Sequence, residues 1–267
     1  MMSGGAITVL GCSGGGGDNL LTTCFRVGEH ILIDAGTGLG AMSSEDMALI
    51  DHVLITHSHQ DHIALLPLFL ERIYLLRKQP VTVYARAETL SALKDHVFNW
   101  EIYPDFSELP LIQQQDSPLV RFREIKVQET VQIGGWRVCG AAMDHTVPGL
   151  SYILQHDGMS FAFTGDTRSL SALAQADPFD VLVTELSYPD HMHELARLSG
   201  HMTPAVLKRD LALLRRKPQL WISHLKPQYH KELRLAAAPL LAEYGGRVLE
   251  SGGSYPLAAK GATACAP

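Results

Sequence analysis

Cysteine is scarce in this chain of 267 residues: Cys12, Cys24, Cys139 and Cys265 are all there is, with no Cys-x-x-Cys pair. A dense disulfide framework is excluded, and a reducing compartment with at most one disulfide fits best. Long apolar runs are missing as well. No segment reaches the length of a transmembrane helix. The opening "MMSGGAITVLGCSGGGG" has no positively charged region, and its apolar stretch is too short for a signal peptide. The expectation is a soluble cytoplasmic protein that does not engage a membrane. Basic charge is also in short supply, 22 Lys and Arg against 28 Asp and Glu, and no basic run exceeds "LRRK" at Leu214–Lys217. The formal net charge of −6 argues against extended nucleic acid as a partner, because neutralising many phosphates needs a basic face.

What is present reads as one α/β domain over residues 1–255, followed by an Ala- and Gly-rich tail at 256–267 expected to be poorly ordered. "AITVLG", "LLTTCFRV", "HILIDAG" and "HVLIT" are short β-branched runs separated by Gly, Asp and Asn, the signature of strands. "DHIALLPLFLERIYLLRK" (61–78) has helical apolar spacing, with Pro67 in or near its first turns. "VTVYA" and "ETLSALKDHVF" continue as strand and helix. Residues 98–118 break the rhythm with prolines and aromatics and read as a long loop insertion. Strands resume at "LVRFREI", "WRVCGAAM", "SYILQH" and "SFAFTGD". The last third alternates: strand "DVLVTEL", a helix over 204–216, strand "QLWISH", helix "KELRLAAAPLLAEY", strand "RVLES". Two mixed sheets with helices on their outer faces account for this order.

The chemistry is concentrated in "THSHQDHI", which follows directly on the apolar "HVLI". Neutral imidazole and carboxylate are the donors a divalent transition metal takes. His57 and His59, two apart, point the same way on an extended backbone, whereas Asp61 and His62 project from the start of a helix toward a different point. One loop can thus serve two adjacent metals. His145, Asp166 and His224 each stand at a strand end and complete the set; Asp166 is the natural bridge, since a carboxylate offers two oxygens. Taken singly, each of these three is more often a turn residue than a ligand.

The set "THSHQDH", His145, "TGDT" and "SH" occurs in order along nearly the whole chain and resembles the metallo-β-lactamase superfamily. The resemblance implies an αββα sandwich with a dinuclear site at its edge. It assigns His57, His59 and His145 to one metal, and Asp61, His62 and His224 to the other, with Asp166 between them. It also makes Asp34 of "LIDAG" a brace behind the histidine loop. "VTELSYPD" and "GHMTPAVLKRDL" are similar to the phosphodiesterase branch containing class II cyclic-nucleotide phosphodiesterases and the transfer-RNA 3′-processing endonuclease RNase Z. That branch implies a proton-donating pair, here Glu185 and His201. The competing reading of "GHMTP" is a helix start, with Thr203 as N-cap and Pro204 at N1. The opening "VLGCSGGGGDNLLTTCFRV" is most like the cyclic-nucleotide group, although Gln60 and Ala64 stand where that group commonly has Leu and Gly.

Two cations in such a site generate a hydroxide near neutral pH and polarise a phosphoryl group. His201, Glu185 and Asp61 are the candidate catalytic residues, and zinc is the expected metal, with manganese or iron as substitutes. The expected activity is hydrolysis of 3′,5′-cyclic nucleotides such as cAMP or cGMP to 5′-monophosphates. An RNase Z-like endonuclease and a thioester or lactone hydrolase are the alternatives on the same metals. Trp100, Tyr103 and Phe106 in the 98–118 insertion are candidates for stacking on the base. Core packing or a homodimer contact is the competing reading of those aromatics. The glycine-rich "GCSGGGGDN" lacks the lysine and hydroxyl of a nucleotide triphosphate loop and reads as a turn beside the site. His191 and His193 read as surface residues.

Overall fold

The structure is a computed structural model and describes residues 5–176 and 178–257. The β-branched runs pair into two sheets of seven strands each. In the first, the order across the sheet is Ser254–Pro256, Ala6–Gly11, Cys24–Val27, Ile31–Ile33, His52–Leu54, Val81–Ala85 and Val120–Glu124. In the second it is Arg247–Val248, Gln219–Ser223, Val181–Glu185, Met159–Phe163, Leu150–His156, Trp136–Ala142 and Thr130–Ile133. Each sheet has three antiparallel and three parallel pairings.

Three apolar layers hold these sheets. Between them lie Ile7, Phe25, Val138, Tyr152, Phe161 and Trp221, drawn from both inner faces. Outside the first sheet, Phe69, Leu70 and Leu93 of helices Leu66–Ile73 and Ala87–His96 pack on Leu32, Val53 and Val83. Outside the second, Leu207 and Leu233 of helices Pro204–Leu211 and His230–Tyr244 pack on Leu182 and Ile222. This is the αββα sandwich. Among the described residues, no helix is long and apolar enough to cross a membrane.

Several local expectations change. The helix expected over 61–78 is two, Gln60–Ile63 and Leu66–Ile73, because Pro67 has no N–H to give and begins a new first turn. Residues 98–118 are not a bare loop. Pro110–Leu111 pairs with Gln114–Pro118, and Phe98 and Phe106 are buried against the first helical layer. Pro256 closes the edge strand beside Ala6, and Leu257 is buried. The expected tail therefore begins no earlier than residue 258, and 258–267, with Cys265, lie outside the described residues. Cys12, Cys24 and Cys139 are free thiols.

The layering places the chemistry. The strands Ile31–Ile33 and His52–Leu54 run parallel and lead into Asp34 and His57. In the second sheet, Met159–Phe163, Val181–Glu185 and Gln219–Ser223 run parallel and deliver Asp166, Glu185 and His224. The carboxyl ends of both parallel sets meet at one edge of the sandwich, where α/β sheets generally bind ligands.

Phe25 joins the sheets: fully buried, it meets Phe163 edge-on with ring centroids 4.9 Å apart. Phe25→Ala should cost about 3–5 kcal/mol in urea unfolding of the metal-free protein. A loss below about 1 kcal/mol would show that the two inner faces are not packed on each other here.

Candidate metal centre and its acid–base pair

The histidine loop is held from behind by one carboxylate. Asp34 is fully buried, with φ +60°, a left-handed conformation unusual for a residue with a side chain. Its oxygens accept from the Thr56 amide (2.7 Å), the Thr56 hydroxyl (2.9 and 3.0 Å) and His62 Nδ1 (2.7 Å). Because the Thr56 hydroxyl donates to Asp34, it accepts from His57 Nδ1 at 3.0 Å. One carboxylate thus fixes two imidazoles, each with its Nδ1 proton held from behind and its Nε2 turned to the site. Burial lifts the Asp34 carboxyl above its ordinary value, and His62 and Thr56 pull back against it.

The other imidazoles are aimed in the same way. His145 Nδ1 donates to the Gly200 carbonyl (2.8 Å), and His224 Nδ1 lies 3.2 Å from the Thr23 hydroxyl. His59 is the exception, since its Nδ1 faces His145 Nε2 at 3.1 Å. Gly200 serves three ends at once. At φ +76° it terminates the helix His193–Ser199, its carbonyl orients His145, and the chain leaving it carries His201 into the site. Any Cβ there would stand 2.6 Å from His145 Nδ1. The glycine-rich loop does border the site: Ser13 bridges Thr22 and Leu225, and a Cβ on Gly14 would sit 2.6 Å from the His224 carbonyl oxygen.

Two ligand groups of histidine and aspartate result, and a third cluster brings Asp166 together with Glu185 and His201. One ligand atom each from His57, His59 and His145 gather within 4.8 Å, and so do those of Asp61, His62, Asp166 and His224. Asp166 stands between the groups, with Oδ2 3.2 Å from His224 Nε2, 3.3 Å from His62 Nε2 and 3.8 Å from His57 Nε2. His57 Nε2, His62 Nε2, His224 Nε2 and Asp166 Oδ1 are buried without a hydrogen-bond partner. Buried polar atoms are normally satisfied. Imidazole lone pairs and a carboxylate converging unsatisfied make up the donor set of divalent cations. These residues fit two such ions.

The metal-free electrostatics express the same crowding. Burial drives His57 well below the ordinary imidazole value and holds His224 down at about 4. Burial also opposes charge on His62, but Asp166 and Asp34 overcome it and raise that imidazole well above its ordinary value. Asp166 would be raised by burial, yet His224, His62 and His57 hold it well below the usual carboxylate range.

Glu185 and His201 lie beside the second group. His201 Nδ1 is 3.0 and 3.1 Å from the two Glu185 oxygens and 3.9 Å from Asp166 Oδ2. Glu185 also accepts from the Thr167 amide (2.6 Å), the Met202 amide (3.2 Å) and the Ser187 hydroxyl. Burial lowers the His201 imidazole, but Glu185 outweighs it and the net direction is upward. The His201 ring lies 5.2 Å from that of His145 and 5.5 Å from that of His224, so it reaches across both ligand groups. Thr203 and Pro204 do begin a helix, although the Thr203 side chain makes no capping bond.

The insertion aromatics are elsewhere. Phe106 is 4% exposed, enclosed by Phe98, Tyr74 and Tyr103, so its ring has no face for a base; this corrects its assignment to substrate binding. Tyr103 packs on the same core and donates to Glu71, and the exposed Trp100 donates to Glu108. Among the described residues, no ring or hydrogen-bond contact ties these three to the ligand groups. His191 and His193 are exposed, as expected. Thr23, Thr56, Ser187 and Gly200, which orient the site, carried no signal in the sequence beyond adjacency to a ligand or acid.

A family model described as "Beta-lactamase superfamily domain" matches residues 29–224, and the chain belongs to the metallo-β-lactamase superfamily. That fold implies divalent metal ions. A "Probable 3′,5′-cyclic-nucleotide phosphodiesterase" of Yersinia pestis is 24% identical over 68% of the chain and 59% of its own length. A "Ribonuclease Z" of Archaeoglobus fulgidus is 24% identical over 81% of the chain and 83% of its own length. The chain spans 59% of the Yersinia pestis protein and only 26–30% of several longer curated relatives. In three dimensions the chain is similar to unliganded yeast PDE1, with TM-score 0.76, 18% identity, and coverage of 96% of this chain and 100% of that one.

Asp34→Asn should weaken metal binding by about 10- to 100-fold in a chelator competition, the usual worth of a partner that orients ligands. Unchanged affinity would show that the loop holds its geometry without this carboxylate.

Proposed function

We propose that this protein is a metal-dependent phosphodiesterase that hydrolyses 3′,5′-cyclic nucleotides to 5′-monophosphates. The observation that carries the reading is the buried Glu185–His201 pair set against Asp166. A metal centre alone serves many hydrolyses, but a poor alkoxide leaving group needs a positioned acid.

His57, His59 and His145 would hold one cation, and Asp61, His62 and His224 the other, with Asp166 shared. Zinc suits these donors first, with manganese or iron as substitutes. When bound, the cations polarise the phosphoryl group and make water nucleophilic near neutral pH. The chain supplies the rest. Glu185 accepts the Nδ1 proton of His201, which fixes the ring and leaves Nε2 as the donor. As a water oxygen, giving up one proton to solvent, bonds to phosphorus and the bond from phosphorus to the ribose 3′ oxygen breaks, His201 protonates that oxygen and is reprotonated from solvent. Asp166 and Asp61 contribute the negative charge that keeps the cations in place.

A second reading is an RNase Z-like endonuclease. The Archaeoglobus fulgidus ribonuclease Z supports it, since that match runs through more than four fifths of both chains. The acidic net charge weighs the other way. The deciding experiment is a metal-loaded activity panel of cAMP, cGMP, bis-p-nitrophenyl phosphate and a precursor transfer RNA. Turnover of the cyclic nucleotides is expected, and cleavage of the RNA alone would replace this reading with the second.

Asp166→Ala should abolish turnover and lower metal content, because both ligand groups lose an oxygen and the cations lose the charge between them. Near-parent activity with full occupancy would sink the shared-ligand assignment. His201→Ala should keep its metals and lose about 10²–10⁴-fold in kcat on cyclic nucleotides. The loss should shrink on bis-p-nitrophenyl phosphate, whose leaving group needs little protonation. Equal losses on both substrates would make His201 something other than the acid.

A further inference from the structure

The two strand ends that deliver Glu185 and His224 continue into a second constellation. Val181–Glu185 and Gln219–Ser223 are parallel neighbours, with Glu185 opposite Ser223. Three residues beyond Glu185 stands Tyr188; two and five beyond His224 stand Lys226 and Tyr229. The Tyr188 ring is 5.8 Å from that of His201 and 5.9 Å from that of Tyr229. Lys226 Nζ lies 6.0 Å from the centroid of Tyr188. All three side chains are half-buried.

Lys226 forms no ion pair with any acid among the described residues. Its ammonium nevertheless stands over the Tyr188 ring, whose neighbour on the other side is His201. An unpaired cation beside a site crowded with lysine's natural partners is a cation kept for a mobile anion. The tyrosine faces next to it are flat, sequence-tolerant platforms for a nucleobase. The glycine-rich loop borders the same wall: Gly14 donates to the Leu225 carbonyl at 3.0 Å, and a Cβ on Gly15 would only touch Pro227.

We propose that Lys226, Tyr188 and Tyr229 form the substrate-binding wall of the site, Lys226 pairing with a phosphate oxygen and the two tyrosines holding the base of a nucleotide. The inference rests on the phosphodiesterase reading above and names the residues that select the substrate. It gives the base a partner in place of the insertion aromatics, of which Phe106 and Tyr103 pack on the outer face of the first sheet.

Binding of 5′-AMP and of adenosine to the metal-loaded protein, measured by calorimetry, tests this apart from turnover. Lys226→Met should weaken AMP by about 10- to 100-fold while leaving adenosine near its parent affinity, and Lys226→Arg should restore AMP binding. Tyr188→Leu and Tyr229→Leu should weaken both ligands, by about 5- to 100-fold for the ring that carries the stack, and Tyr188→Phe should retain binding. Parent-like AMP affinity in Lys226→Met and in both leucine variants, with metal content intact, would overturn the wall. An AMP loss in Lys226→Arg as large as in Lys226→Met would overturn the charge role. If the parent binds AMP and responds to these variants but does not cleave cyclic nucleotides, the wall stands and the cyclic substrate is wrong. If the parent binds neither AMP nor adenosine, the wall itself is refuted.

Discussion

The hydrogen bonds of the Asp34 carboxylate are what the rest of the site leans on. A fully buried carboxylate is costly unless its oxygens are satisfied. Here the Thr56 amide and hydroxyl and His62 Nδ1 satisfy them. The same bonds set the tautomer of His62 directly and of His57 through Thr56. Without that carboxylate, two imidazoles facing inward from a loop could rotate or exchange their protons. With it, their Nε2 atoms are aimed before any ion arrives. The left-handed backbone at Asp34 is the local strain that this arrangement sustains.

A second level of organisation is the matching of the two sheets. Each runs antiparallel and then parallel, and each buries an apolar layer on both faces. Parallel strands bring their carboxyl ends to one edge, so two such sheets face to face present two sets of strand ends there. One set supplies Asp34 and the histidine loop, the other Asp166, Glu185 and His224. The packed layers fix their separation, since close-packed interiors resist small shifts. The His/Asp clusters depend on that rigidity, because their members come from positions as far apart in sequence as His57 and His224.

The Glu185–His201 pair and the two ligand-type groups share walls. Asp166 lies within 3.9 Å of His201 Nδ1 as well as near three ligand imidazoles. Gly200 orients His145 and releases His201. Displacing one part therefore disturbs the others, and variants here are best read through metal content and turnover together.

The residues by themselves determined the outline. Alternating β-branched runs gave the strands, and His57, His59, Asp61 and His62, packed into one loop, announced metal chemistry because no core gains from such a cluster. The order of strands and helices implied two mixed sheets with helices outside them, and the resemblance to the metallo-β-lactamase superfamily implied the division of the seven candidate ligands into two sets. Tertiary structure alone decided the rest. That Thr56 relays Asp34 to His57, or that Gly200 backs His145, depends on contacts across 55 residues or on which way a hydroxyl points. Phe106 looked like a base platform because an aromatic in an irregular stretch carries no periodicity to show its burial. Tyr188 and Lys226 escaped notice because their neighbourhood exists only once two parallel strands lie side by side. A sequence displays the chemistry of its side chains, but directions and distances across the site are set by the packing of distant segments.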